Sequence, residues 1–198
     1  MDALKQEYAR ILQGLQIDRF NLDEDKYSGV FLPDPFEEYW TATTKVMLVG
    51  RETAGWNTDN NKNTIKRAAG LGSVSVSEVV DESLGRYRRH FELKGDKLVE
   101  TSRSRFMQYY FRLARELGLD PRALIYANLF AWDYDKKSPR NRPASELNEI
   151  ASTSQQLLAA QIRRFKPDFI VFASGIKGAD EPIRSLFNDH FGGYQTAK

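Results

Sequence analysis

The chain has 198 residues, with 29 Lys and Arg against 27 Asp and Glu, and its formal charge of +2 by itself names no partner. The length fits one domain, and 41% hydrophobic residues supply one substantial core, which argues against wholesale disorder. Cysteine is absent, which excludes disulfides, thiolate zinc sites, cysteine-held iron-sulfur clusters and a cysteine nucleophile. The two histidines, His90 and His190, are too few for a His-rich metal site, and any Ser-His-Asp triad would have to use one of them.

Leu4, Tyr8, Ile11, Leu12 and Leu15 recur at helical spacing and predict an amphipathic helix over 3–16, ending near Gly14. MDALKQEYAR carries no apolar segment of a secretory signal, and no apolar run nears the length of a membrane span. An acidic connection with Pro33 and Pro35 leads to KVMLVG at 45–50, a continuous apolar run suited to a buried parallel strand. Residues 57–102 read as an insertion or lid. In it NTDNNKN is an exposed loop, VSVSEVV a strand or the start of a helix, and FELKGDKLVE a hairpin turning at Gly95-Asp96. Phe106, Tyr110, Leu113 and Leu117 predict a helix over 104–117, closed by Gly118 and Pro121. ALIYANLF at 123–130 is a second strand; a loop with Pro139 and Pro143 enters a helix from about Ser145 to Pro167. DFIVFAS at 168–174 is a third strand, and 180–190 a further helix. This alternation predicts an α/β fold, a three-layer α/β/α sandwich around a short central parallel sheet, in a single domain over 1–198. Ligands of such sheets bind at the carboxyl ends of the strands, here the segments starting at Gly50, Asn128 and Ser174.

The even charge hides a division along the chain. Residues 1 to 40 carry four basic and nine acidic side chains, whereas residues 86 to 115 carry nine basic and three acidic ones. In the second stretch Arg86, Arg88, Arg89, Arg103 and Arg105 alternate with Tyr87, Phe91, Phe106, Tyr109 and Tyr110. Cations beside aromatic rings suit nucleic acid, because charge tracks the phosphates and rings accept the faces of bases. The same pattern also describes a solvated basic helix with its aromatics turned to the core.

After the first strand, GRETAGW at 50–56 places Glu52 two residues past a glycine. It lacks the spacing and the Lys-Ser/Thr pair of a phosphate-binding P-loop. A carboxylate on such a turn can orient a water or stabilise positive charge; equally, it can cap the backbone or pair with an arginine. After the second strand stands Asn128, whose amide both donates and accepts and so can read the edge of a base, or close its own loop. The absence of a Gly-x-Ser-x-Gly elbow argues against an α/β hydrolase, and leaves Ser174 as a strand end.

The succession GRETAGW, LIYANLF, SPRNRPASELNEI and LLAAQIRRFKPDFIVFASG resembles the uracil-DNA glycosylase superfamily over roughly residues 45 to 178. The resemblance implies a glycosylase-like fold, excision of a deaminated or damaged base from DNA by hydrolysis of the N-glycosidic bond, and no metal or organic cofactor. It implies Glu52 as the base or water-orienting group and Asn128 as the reader of the base edge. Gly50, Thr53 and Gly55 would shape the loop, and Trp56 or Phe106 would stack on the base. Arg86, Arg88, Arg89, Arg103 and Arg105 would meet the DNA, single- or double-stranded, in a cytoplasmic monomer that binds no membrane. Asn141-Arg142-Pro143 resembles the loop of the superfamily's iron-sulfur branch, but that branch's cysteines are missing. His190, in FNDHFGG without a following proline, does not match the superfamily's His-Pro-Ser-like loop. That mismatch leaves two alternatives: a truncated enzyme, or a glycosylase-like domain that binds nucleic acid or a nucleotide without excision.

Overall fold

A computed structural model describes residues 2–56, 64–89, 91, 93–94, 97–98, 100, 102–175 and 179–195. In chain order the elements are α1 (Asp2–Gln13), α2 (Glu37–Thr41), β1 (Val46–Gly50), α3 (Thr64–Ala68), α4 (Val76–Arg89), β2 (Leu93–Lys94) and β3 (Lys97–Leu98). They continue with α5 (Arg105–Glu116), β4 (Leu124–Asn128), α6 (Ala144–Phe165), β5 (Phe169–Phe172) and α7 (Asp180–Phe191). The protein is α/β. Its main sheet is parallel, in the order β4-β1-β5, and β2 and β3 form a small antiparallel pair.

The order of the sheet explains its two covered faces. The chain crosses from β1 to β4 on one side and returns past β1 to β5 on the other. Right-handed crossovers in opposite directions place their helices on opposite faces, an arrangement compatible with a three-layer sandwich. On one face Tyr126 of β4 packs on Tyr87 of α4 and Tyr110 of α5, at ring-centroid distances of 4.9 and 5.7 Å. Past the end of β4, the Ala131 amide donates to Ser154 Oγ of α6 at 2.9 Å. β1 is buried throughout, as its unbroken apolar run requires. β5 is an edge strand: Phe169 is 62% exposed, although FIVF reads as apolar as β1. Among the described residues no helix is long and apolar enough to cross a membrane.

Local chemistry accounts for the ends of the helices. Ser104 caps α5 by accepting from the Met107 amide, and Gly118, at φ +65°, carries the chain out of it. Lys166 adopts φ +48° at the end of α6, because Pro167 disfavours a further right-handed helical residue before it. VSVSEVV is helical and opens α4. Its β-branched residues also suit a strand, but Ser75 and Glu78 form a reciprocal capping box: the Ser75 amide donates to Glu78 Oε2 at 2.8 Å and the Glu78 amide to Ser75 Oγ at 3.3 Å.

Within the span 57–102, read from the sequence as an insertion or lid, α4 contributes Val80, Leu84 and Tyr87 to the core. The NTDNNKN stretch and the Gly95-Asp96 turn lie outside the described residues. The acidic connection after α1 is a strap that also enters the core. Val30, Phe31 and Leu32 are buried, held by the Phe31 amide on the Ala131 carbonyl at 2.8 Å and the Leu32 amide on Ser83 Oγ at 3.0 Å. Apolar residues at 30–32 outweigh the charges around them.

Candidate functional site

A cavity of about 560 Å³ opens at the carboxyl ends of β1 and β4. Gly50 and Asn128, the last residues of these strands, are register partners. The missing side chain at Gly50 leaves room for two others, since a Cβ there would lie 2.6 Å from Asn128 Oδ1 and 3.0 Å from Phe106 Cε2. Asn128 is only 7% exposed and lines the cavity. Its side-chain amide makes no hydrogen bond among the described residues, so the loop-closing role is not the one it plays. Phe106, half-buried on the first turn of α5, meets Tyr126 edge-on at 5.6 Å. Tyr126 also lines the cavity, but burial pushes its hydroxyl well above the ordinary tyrosine range, so it is a neutral wall and no acid-base group.

Glu52 reaches the cavity from the turn after β1. Arg51 Nε donates to its two carboxylate oxygens at 2.9 and 2.8 Å, and the Glu52 side chain is 11% exposed. Of the roles open in the sequence, pairing with an arginine is present, and the same carboxylate also faces the cavity.

The turn itself is held by a residue that sequence reasoning missed. Asp133, with no exposed surface, accepts through Oδ2 from Thr53 Oγ1 at 2.6 Å, the Gly55 amide at 2.8 Å and the Trp56 amide at 3.4 Å. Its Oδ1 accepts from the Lys136 amide at 2.9 Å. Thr53 and Gly55, the latter at φ +87°, thus shape the loop by converging on one buried carboxylate. The signal was an acid inside the apolar stretch LFAWD, where a charge has to be matched by donors. Trp56 lines the cavity but is 5% exposed and packs edge-on against Phe31 at 4.8 Å. It serves as a wall, and of the two candidate rings Phe106 is the less buried.

The five arginines separate into three groups. Arg86 and Arg89 line the cavity, with Arg86 lying 5.8 Å over the Trp56 ring. Arg103 and Arg105, just before and at the start of α5, are exposed and make no ion pair among the described residues. Arg88 points elsewhere: its guanidinium binds the buried carboxylate of Asp34 and lies over Phe36. The expectation that it meets nucleic acid gives way to a structural role, because Asp34 needs a partner where it is buried.

The Asn-Arg-Pro loop is also structural. Arg142 Nε donates to Glu146 Oε2 at 2.9 Å, Tyr27 Oη donates to the same oxygen at 2.8 Å, and the guanidinium lies 4.0 Å over Tyr134. Burial raises the Glu146 carboxyl, but donors from Arg142, Tyr27 and the Asn21 amide outweigh it and hold the group below its ordinary value. His190, in the last turn of α7, and the buried Ser174 do not line the cavity; His90 lies outside the described residues. No group of three or more His, Asp or Glu among the described residues is placed to hold a metal ion. No family model, curated protein or solved structure matches the chain.

Proposed function

We propose that the chain is a uracil-DNA glycosylase-like protein whose cavity takes a base extruded from DNA and whose Glu52 supports hydrolysis of the N-glycosidic bond. What carries the reading is the convergence of Glu52, Asn128 and Phe106, distant in sequence, on one cavity at the strand ends, with Arg86 and Arg89 on the same wall. Asn128 offers a buried amide to the edge of a base, Phe106 a ring to its face, and the arginines a counter-charge to the strand. Extrusion costs a few kcal/mol, which these contacts would offset.

In the reaction the C1′–N bond breaks and its electron pair leaves with the base. A water oxygen bonds to C1′, its proton passes by way of Glu52 to solvent, and the departing nitrogen takes a proton from solvent. The Glu52 carboxylate, held by Arg51, also supplies fixed negative charge to the positive charge developing on the sugar. Incubation with uracil- and hypoxanthine-containing oligonucleotides should give abasic sites, and Glu52→Ala should abolish them while DNA binding persists. Equal yields from the parent and Glu52→Ala would refute the catalytic role.

One observation favours a second reading, a domain that binds nucleic acid or a nucleotide without excision: both Glu52 oxygens already accept from Arg51. That reading expects DNA binding with a steep salt dependence and no abasic product.

A further inference from the structure

We propose that the cavity contains an anion subsite at the N-terminus of α5, which takes the phosphate of the nucleotide whose base meets Phe106 and Asn128. The inference deepens the nucleotide-site reading above and rests on it.

The cavity wall includes Ser104, Ser102 and Arg89 besides Phe106. α5 is 12 residues long and has no acidic residue in its first turn, so nothing of its own neutralises the positive end of its dipole. Ser104 Oγ satisfies the Met107 amide at 3.4 Å, and the Gln108 amide bonds to the Ser104 carbonyl at 2.9 Å. The amides of Arg105 and Phe106 have no acceptor among the described residues. Helix amides left in this state are donors for an anion. Ser102 Oγ accepts from the Ser104 amide at 3.1 Å. Each of the two serines therefore uses its oxygen as an acceptor within the chain and keeps its O–H to donate outward.

Charge points the same way. Among the described residues, Glu52, Arg86 and Arg89 are the charged ones lining the cavity, and Glu52 is matched by Arg51. Arg89, which makes no ion pair among the described residues, supplies the cation on this wall. An independent observation points to a ligand here: the Asn128 amide, more than nine-tenths buried, faces the same cavity without a hydrogen-bond partner among the described residues. At about 560 Å³ the space falls within the usual range of ligand pockets, roughly 300–1,000 Å³, and exceeds the needs of a base alone. A base on Phe106 and Asn128 with its phosphate at Ser102, Ser104 and Arg89 uses both ends of it.

Titration of the full chain with deoxyuridine, deoxyinosine, their 5′-monophosphates and inorganic phosphate tests the proposal, with binding read by calorimetry. A monophosphate should bind at least about tenfold more tightly than its nucleoside, as expected for one charge-assisted contact set. Arg89→Glu should collapse that advantage to within about twofold, and Arg89→Lys should restore part of it. Asn128→Ala should weaken nucleoside and monophosphate alike. Circular dichroism and thermal melting keep folding separate from binding. Equal affinity for nucleoside and monophosphate, an advantage that survives Arg89→Glu, or no binding of any probe overturns the subsite. Phosphate binding that depends on Arg89, with no binding of either nucleoside, upholds the anion subsite while refuting the base-reading role of Asn128. A single-stranded oligonucleotide with one deoxyuridine that displaces the monophosphate assigns the phosphate to a strand; failure to displace it assigns it to a free nucleotide.

Discussion

Replacing Asp133 should loosen the cavity from behind without touching a ligand. The carboxylate has no exposed surface and receives Thr53 Oγ1 at 2.6 Å, the Gly55 amide at 2.8 Å and the Lys136 amide at 2.9 Å, with the Trp56 amide more weakly at 3.4 Å. Asp133→Ala strands three well-formed donors at about 1–3 kcal/mol each. Relief of the desolvation of a buried anion works in the opposite direction, so a net loss of about 3–4 kcal/mol is expected, a large part of the roughly 5–15 kcal/mol of a domain. Asp133→Asn can keep its oxygen toward the Thr53–Trp56 turn and its amide nitrogen toward Lys136, losing one bond for about 1–2 kcal/mol. Urea unfolding should therefore rank the parent above Asn and Asn above Ala. Calorimetry with deoxyuridine 5′-monophosphate should show the same order, because the turn that carries Glu52 is released. An alanine variant within about 1 kcal/mol of the parent, or an asparagine variant as damaged as alanine, would refute the assignment of the turn to this carboxylate.

Gly50→Ala should act on the ligand and on the fold alike. Its Cβ would fall 2.6 Å from Asn128 Oδ1, so the amide must move, with an affinity loss on the order of tenfold to a hundredfold and a stability loss of about 1–3 kcal/mol, read by calorimetry and urea unfolding. Glu146→Gln tests the structural pair with Arg142. The native carboxyl is held below its ordinary value, so its ionised form stabilises the fold fully above the unfolded carboxyl range, about pH 5, and that stability is lost as the pH falls through the lower folded value. Glu146→Gln leaves the guanidinium uncompensated, at a cost of about 3–5 kcal/mol near neutrality. The gap between parent and variant in urea midpoint should narrow as the pH is lowered below 4.

Much of the architecture was legible because β1 and β4 are unbroken apolar runs and α5 and α6 keep a helical spacing. The spacing of Phe106, Tyr110 and Leu113 is enough to mark α5, and Gly118 enough to close it. Legibility failed where two local signals compete. VSVSEVV has the β-branched residues of a strand and the Ser75-Glu78 box of a helix start, and the box wins because it satisfies helix-end donors directly. FIVF of β5 and VMLVG of β1 are equally apolar, yet one is an edge and the other the centre. Composition does not carry strand order; only the crossovers do.

The site followed the same logic one level up. Glu52 and Asn128 could be singled out because residues at strand ends have places the topology dictates, and Gly50 as the terminator of β1, whereas Phe106 entered only as one of two stacking candidates that a resemblance implied. The basic stretch was not so simply readable, because a count of arginines does not say which are already matched. Arg88 is taken by Asp34, Arg112 by Glu116 and Arg115 approaches Glu100, while Arg86 and Arg89, on the same helix as Arg88, line the cavity. One residue of helical rotation, about 100°, separates Arg88 from Arg89 and so decides which cation supports the acidic N-terminal strap and which lines the cavity. The opposed charges of residues 1–40 and 86–115 are thus partly a fold-internal match, Asp34 of the first segment taking Arg88 of the second.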